Sequence, residues 1–186
     1  MQLKNGLLSL LLAMCCASSF AAVAGFDELA GDGSAIDSGY QGFNWDNIGT
    51  VRDDLVPGTG FAAGVVSPAN AAFNLDGGTA TISTAGGNTF DFIGAYFTSA
   101  WLDQEIAFDG MRNGQVLYST LSSFAIDTMN PLWVQLDWAG IDALVIYNSS
   151  GTSWVMDDFS VPEPGPLALM AVAAAGLLLA RRRKPM

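Results

Sequence analysis

The side chains able to do chemistry in this sequence are almost all carboxylates. The 186 residues include no histidine, and the two cysteines, Cys15 and Cys16, both lie in an apolar N-terminal stretch. A Ser-His-Asp triad, a Cys-His pair and any His-ligated metal centre are therefore excluded. Thiol chemistry is excluded from the rest of the chain as well. No glycine-rich phosphate loop follows a strand and opens a helix. Two routes remain for the acids. One is a carboxylate pair of the glycosidase kind, for which no pair of residues is singled out. The other is calcium, a hard cation that takes carboxylate and carbonyl oxygens. Asp27 and Glu28 lie near the start of the folded region and Asp157 and Asp158 near its end. The four converge on a calcium ion if the first and last strands pair. Otherwise Asp157 and Asp158 are solvated charges or turn anchors.

Aromatic side chains are the second chemical resource, because a sugar ring binds an aromatic face flanked by polar groups. Trp101, Trp45 and Tyr40 are the candidates. Trp138 continues the face of Val134 and Leu136, and Trp154 pairs with Met156 in the same way, so both read as core. Trp101 follows Thr98-Ser99-Ala100 and leads into Asp103, which places it on a loop.

Strands punctuated by glycine and asparagine must position these residues. Thr79–Thr84, Phe90–Tyr96, Gln104–Asp109, Gln115–Ser119, Val134–Trp138, Asp142–Tyr147 and Trp154–Val161 each carry strand character. Asp76-Gly77-Gly78 and Ala85-Gly86-Gly87-Asn88 read as turns, and Gly110–Gly114 as a hairpin loop. No amphipathic helical period of useful length interrupts them. Many short strands at this spacing predict an all-β, jelly-roll-like β-sandwich of two sheets packed face to face.

Charge divides the chain the same way. Of 18 acidic residues, all but Glu163 fall between 25 and 160, against two basic residues there, Arg52 and Arg112. Such a domain repels nucleic acid and anionic lipid. It contains no cysteine, so core burial alone must hold it together.

The two ends carry export signals. Lys4 is a positive n-region and Leu7–Ala13 an apolar run. Ala22-Val23-Ala24 has the small-x-small form that signal peptidase cuts. Residues 1–24 are thus expected to be a signal peptide and residues 25–160 the β-sandwich domain. Cys15 and Cys16 read as ordinary apolar filler rather than lipid sites, since Leu12-Ala13-Met14 lacks the small residue expected directly before a lipoprotein cysteine. Residues 161–186 read as Val161-Pro162-Glu163-Pro164, an apolar run from Leu167 to Ala180, and Arg181-Arg182-Arg183-Lys184. Prolines halt any strand coming from the domain. The run covers roughly 21 Å as a helix at about 1.5 Å per residue. That is short for a bilayer of about 30 Å. The basic cluster nevertheless favours the cytoplasmic side, giving a transmembrane helix with the domain outside until processing.

Pro162, Glu163 and Pro164, with the apolar helix and Arg181, Arg182 and Arg183 behind them, resemble the PEP-CTERM sorting signal. The resemblance implies recognition near Pro-Glu-Pro by an exosortase of the membrane, in a Gram-negative bacterium that makes exopolysaccharide. A second resemblance covers the middle. Gly25-Phe26-Asp27-Glu28-Leu29, Gly39–Trp45 and Met156-Asp157-Asp158-Phe159-Ser160-Val161 look like secreted jelly rolls related to galactose-binding and carbohydrate-binding modules. In those domains the first and last strands lie close together.

These readings converge on a non-enzymatic surface or extracellular protein associated with exopolysaccharide or biofilm matrix. Signal peptidase and an exosortase are its processing partners, and an extracellular polysaccharide is its candidate ligand. The alternative is a surface glycosidase using an Asp/Glu pair.

Overall fold

The computed structural model describes residues 21–162, so the sequence features before and after them lie outside the described residues. In chain order the elements are β1 (Ala21–Ala24), β2 (Asp32–Ala35), β3 (Phe43–Asp46), β4 (Ile48–Arg52), α1 (Gly60–Ala63) and β5 (Asn70–Asn74). They continue with β6 (Ala80–Thr84), β7 (Phe90–Ser99), β8 (Gln104–Arg112) and β9 (Gln115–Ser119). The last are β10 (Phe124–Ile126), β11 (Leu132–Ile141), β12 (Ala143–Asn148) and β13 (Trp154–Pro162).

These strands form two antiparallel sheets that face each other as a sandwich. The first runs β11-β7-β13-β5-β4-β2, with β1 also paired to β13. The second runs β10-β8-β12-β6-β3, with β9 also on β8. Most connections cross from one sheet to the other. At the β3–β4 crossing a single residue, Asn47, turns the corner at φ 60°. Its side-chain amide donates to the Thr79 carbonyl at 3.1 Å and to the Asp76 carboxylate, which anchors the corner.

The core lies between the sheets and is largely aromatic. Phe97 of β7 meets Phe108 of β8 with ring centroids 5.2 Å apart. Trp45 of β3 meets Phe159 of β13 at 5.4 Å, edge to face. Fully burying one such side chain stabilises by about 1.5–3 kcal/mol, and edge-on pairing adds about 0.5–1.5. This is how a domain without a disulfide holds together.

A smaller apolar cluster sits on the outer face of the first sheet. The segment between β4 and β5, including α1, covers it with Phe61 over Val51, Ala71, Ala100 and Val155. Thr59 caps α1 by accepting the Phe61 N–H.

Register shifts reset the alternation of the long strands, one on β13 and two on β11. On β13, Asp157 opposes Tyr96 and Ser160 opposes Gly94, so three residues match two. Asp158 takes up the extra residue at φ 52°. A bulge of this kind turns the following side chains back to their original faces. Trp154, Met156 and Phe159 consequently all enter the core, while Val155 joins the outer cluster. On β11, Asp137 at φ 51° does the same between Gln135 and Trp138. Strict alternation over Phe90–Tyr96 does not hold. Phe92, Ala95 and Phe97 are core residues and Tyr96 is not.

The hairpin loop expected over Gly110–Gly114 is tighter than that. Gly110, Met111 and Arg112 stay in β8, and the turn is Asn113-Gly114, with φ 51° and 73°. Two successive residues with positive φ fit the right-handed twist of a hairpin.

Candidate functional site

Two places bring chemistry-bearing side chains together. The first is where the start of the domain meets its last strand. Asp157 is fully buried on the outer face of β13. Its carboxylate accepts the backbone N–H groups of Val66 at 2.7 Å and Ser67 at 2.8 Å. It also accepts the Ser67 hydroxyl at 3.2 Å and the Asp158 N–H at 2.7 Å. Burial pushes the carboxyl up to about 6, against the pull of those backbone donors. Asp27 accepts the Asn70 N–H at 3.1 Å. Asn70 in turn donates through its side chain to the Leu29 carbonyl at 2.7 Å and the Asp27 carbonyl at 3.3 Å. Gly25 lies among these acids. A side-chain carbon there would stand 3.1 Å from Ser67 Oγ, 3.5 Å from Asp27 Oδ2 and 3.9 Å from Asp158 Oδ1.

Of the four acids considered for calcium, Asp27, Asp157 and Asp158 are thus neighbours. Glu28 faces away and accepts the Gln41 side-chain amide at 2.8 Å. Its own backbone and Gln41 hold its carboxyl below the usual range. Among the described residues no three acidic, cysteine or histidine side chains are grouped so as to hold a metal ion. The donors around Asp157 fit its use as an anchor for the segment over β13.

The second place is the end of the sandwich where β7 crosses to β8. Trp101 stands on that turn and is 57% exposed. Its ring meets Phe61 edge-on, with centroids 5.3 Å apart and planes at 77°. Phe61 thereby braces one edge of the indole. Immediately after it, Asp103, Gln104, Glu105, Ala125, Ile126 and Asp127 line an open cleft of about 350 Å³. Gln104 is the buried tie of this end. Its amide donates to Ser99 Oγ at 2.8 Å and to the Ser153 carbonyl at 3.1 Å, and its oxygen accepts the Ser150 hydroxyl at 2.7 Å. That one side chain ties the β7–β8 and β12–β13 connections together. Asp127 is partly committed, since it accepts the N–H groups of Met129 and Asn130, both at 2.7 Å. Glu105 accepts the Ser123 hydroxyl at 2.5 Å.

The other two aromatic candidates are placed differently. Trp45 is 5% exposed and packed by Phe26, Phe43 and Phe159, so it offers no face to a sugar. Its indole N–H is satisfied by the Tyr40 carbonyl at 3.0 Å. Tyr40 is packed against the core, and burial pushes its phenol well above the usual range. Trp45 is structural because the alternation of β3 points Phe43 and Trp45 inward.

The sequence did not single out Gln104 or the cleft acids. Their partners come from β10 and from the β12–β13 turn, far along the chain. The one readable sign was a polar residue opening a strand that otherwise alternates.

At the C-terminal end β13 stops at Pro162. Glu163, Pro164, the apolar run and Arg181, Arg182 and Arg183 lie outside the described residues. So do Lys4, the N-terminal apolar run and both cysteines. Among the described residues no helix is long and apolar enough to cross a membrane. No curated protein matches the chain. Residues 160–184 match the PEP-CTERM protein-sorting motif. The motif overlaps the last residues of β13 and takes in Pro162-Glu163-Pro164 and the arginines. The chain is therefore an exported surface or extracellular protein that carries the sorting motif read by an exosortase.

Proposed function

We propose that the β-sandwich is a non-enzymatic module that holds extracellular polysaccharide at the Trp101 end, as part of an exopolysaccharide matrix. The observation that carries this reading is Trp101 itself, a large exposed indole held edge-on by Phe61. An exposed tryptophan with a fixed ring plane is a ready stacking surface for a pyranose face. The cleft after it supplies acceptors for sugar hydroxyls from Asp103 and Glu105. The sorting motif supports placement at the cell surface, where such polymers are found.

A glycosidase needs one carboxyl kept protonated near neutral pH. The carboxyl that burial raises here, Asp157, is covered by Val66 and Ser67 and cannot reach a substrate. Binding is therefore the better-supported role.

The test is affinity electrophoresis of the purified protein in gels containing neutral and acidic bacterial polysaccharides. Retardation by at least one polymer, lost in Trp101→Ala with an unchanged melting temperature, supports the reading. No retardation by any polymer, or retardation unaffected by Trp101→Ala, overturns it. Release of reducing sugar would instead establish the enzyme.

A further inference from the structure

We propose that signal peptidase cuts after Ala24 and that the α-ammonium it frees on Gly25 becomes the cation between Asp27 and Asp158. Three independent observations lead there. Ala22-Val23-Ala24 places a small-x-small site directly before Gly25. Gly25 sits among the acids, its side-chain direction meeting Ser67 Oγ at 3.1 Å, Asp27 Oδ2 at 3.5 Å and Asp158 Oδ1 at 3.9 Å. Its backbone nitrogen is about 2.5 Å from that point by standard bond geometry, so once freed it shares the neighbourhood of both carboxylates. Finally, among the described residues no basic side chain is paired with these acids. Among the described residues the single ion pair is Arg52 with Asp54, and Arg112 lies beside Gly140.

The step is a hydrolysis. Water adds across the Ala24–Gly25 peptide bond, Ala24 leaves as a carboxylate, and the Gly25 amine takes up a proton. Before the cut, residue 25 presents a neutral amide to two carboxylates, Asp27 and Asp158. After it, residue 25 presents a positive charge with three N–H donors. Opposite charge within about 4–6 Å strongly favours the charged form of each partner. The cut also removes β1 from the edge of β13. Processing thus exchanges a short strand for an ionic clasp between the first residue of the domain and its last strand.

The chain is suited to testing this. Its lysines are Lys4 and Lys184, so between residues 25 and 160 the α-amine is the one amine present. The full chain is exported from a bacterial host and the mature product is isolated. N-terminal sequencing is expected to start at Gly25; a start at Ala22 or earlier overturns the proposal. Labelling of the α-amine by an amine-reactive ester at pH 7, read by peptide mapping, is expected to be about tenfold slower in the folded protein than in urea. That corresponds to a rise of about one unit from the ordinary α-amino value of about 7.7–8.0. Asp27→Asn and Asp158→Asn should each recover part of the rate, which simple burial of the amine would not explain. Acetylating the amine is expected to lower the melting temperature, whereas reductive dimethylation, which keeps the charge, leaves most of it. Equal labelling rates folded and unfolded, or equal melting temperatures for the acetylated and dimethylated proteins, overturn it.

Discussion

The Asp157 carboxylate accepts the backbone N–H of Ser67 at 2.8 Å across 90 residues of sequence. With the Val66 N–H on the same oxygen, this contact pins the segment between β4 and β5 onto the outer face of β13. Removing the acceptor orphans three backbone donors, of Val66, Ser67 and Asp158, and a hydroxyl. Asp157→Ala is expected to cost about 2–3 kcal/mol in chemical denaturation. It should also speed chymotryptic cleavage at Leu55 and Phe61, because the pinned segment is what lifts. A full loss of stability with no local change in cleavage would contradict the pinning role.

The same carboxyl gives the pH profile a sign. Its folded value, about 6, lies above the ordinary carboxylate value of 3.8, with burial as the main cause and Asp158 beside it. A raised value means that folding favours the protonated form. The contribution is complete below about pH 4 and is lost as pH rises towards 6. Glu28, Asp32, Asp76 and Asp127 are all held below their usual values and act in the opposite sense, but at lower pH. In protein that retains residues 21–24, stability is therefore expected to fall between pH 4 and 6, and Asp157→Asn to flatten that fall. Urea midpoints at half-unit intervals of pH would show it.

Phe61 serves both the outer cluster and the bracing of Trp101. Phe61→Leu keeps most of the apolar volume and should cost about 1 kcal/mol. It removes the aromatic edge against the indole, so binding of any polysaccharide retained by the parent protein should weaken several-fold. Tryptophan fluorescence anisotropy should fall alongside. Unchanged binding would mean that the indole needs no brace.

Two glycines separate steric from conformational cost. A side-chain carbon on Gly60 would stand 1.7 Å from the Ser99 carbonyl oxygen, inside the contact of α1 with the end of β7. Gly87, at φ 69°, has nothing within 4 Å. Gly60→Ala is expected to cost more than about 3 kcal/mol by forcing backbone apart. Gly87→Ala should cost about 1–2 kcal/mol, the left-handed backbone alone. Thermal melts of the two variants side by side would order them.

What the sequence made legible follows from which faces are covered. β6, β8 and β12 expose one face and alternate, so their periodicity marks them. Ile48–Val51 of β4 is buried without a break. β5 is nearly so. The segment carrying Phe61 covers their outer side, which erases the period of two, and both strands were missed. The bulges at Asp137 and Asp158 shift parity by one residue, which no strand pattern anticipates. Trp101 was placed correctly on a loop because its neighbours are polar and small. The cleft that Asp103, Gln104 and Glu105 form with Ala125, Ile126 and Asp127 was not foreseen, because Gln104 is held by Ser150 and Ser153 from far along the chain. Asp27, Asp157 and Asp158 were paired by the expectation that first and last strands meet, whereas the donors that occupy Asp157 come from the middle of the chain.

The position of β13 has a consequence in time. It lies between β7 and β5, in the interior of its sheet rather than at an edge. Neither flank of that sheet is complete until residue 162 has emerged on the far side of the membrane. A chain threaded out from its N-terminus therefore stays open until almost the whole of it has been translocated, and the sorting motif that begins at residue 160 follows at once. Topology thus makes the last strand of the domain and the start of the sorting motif one segment, so the fold is whole only once residues 160–162 are in place.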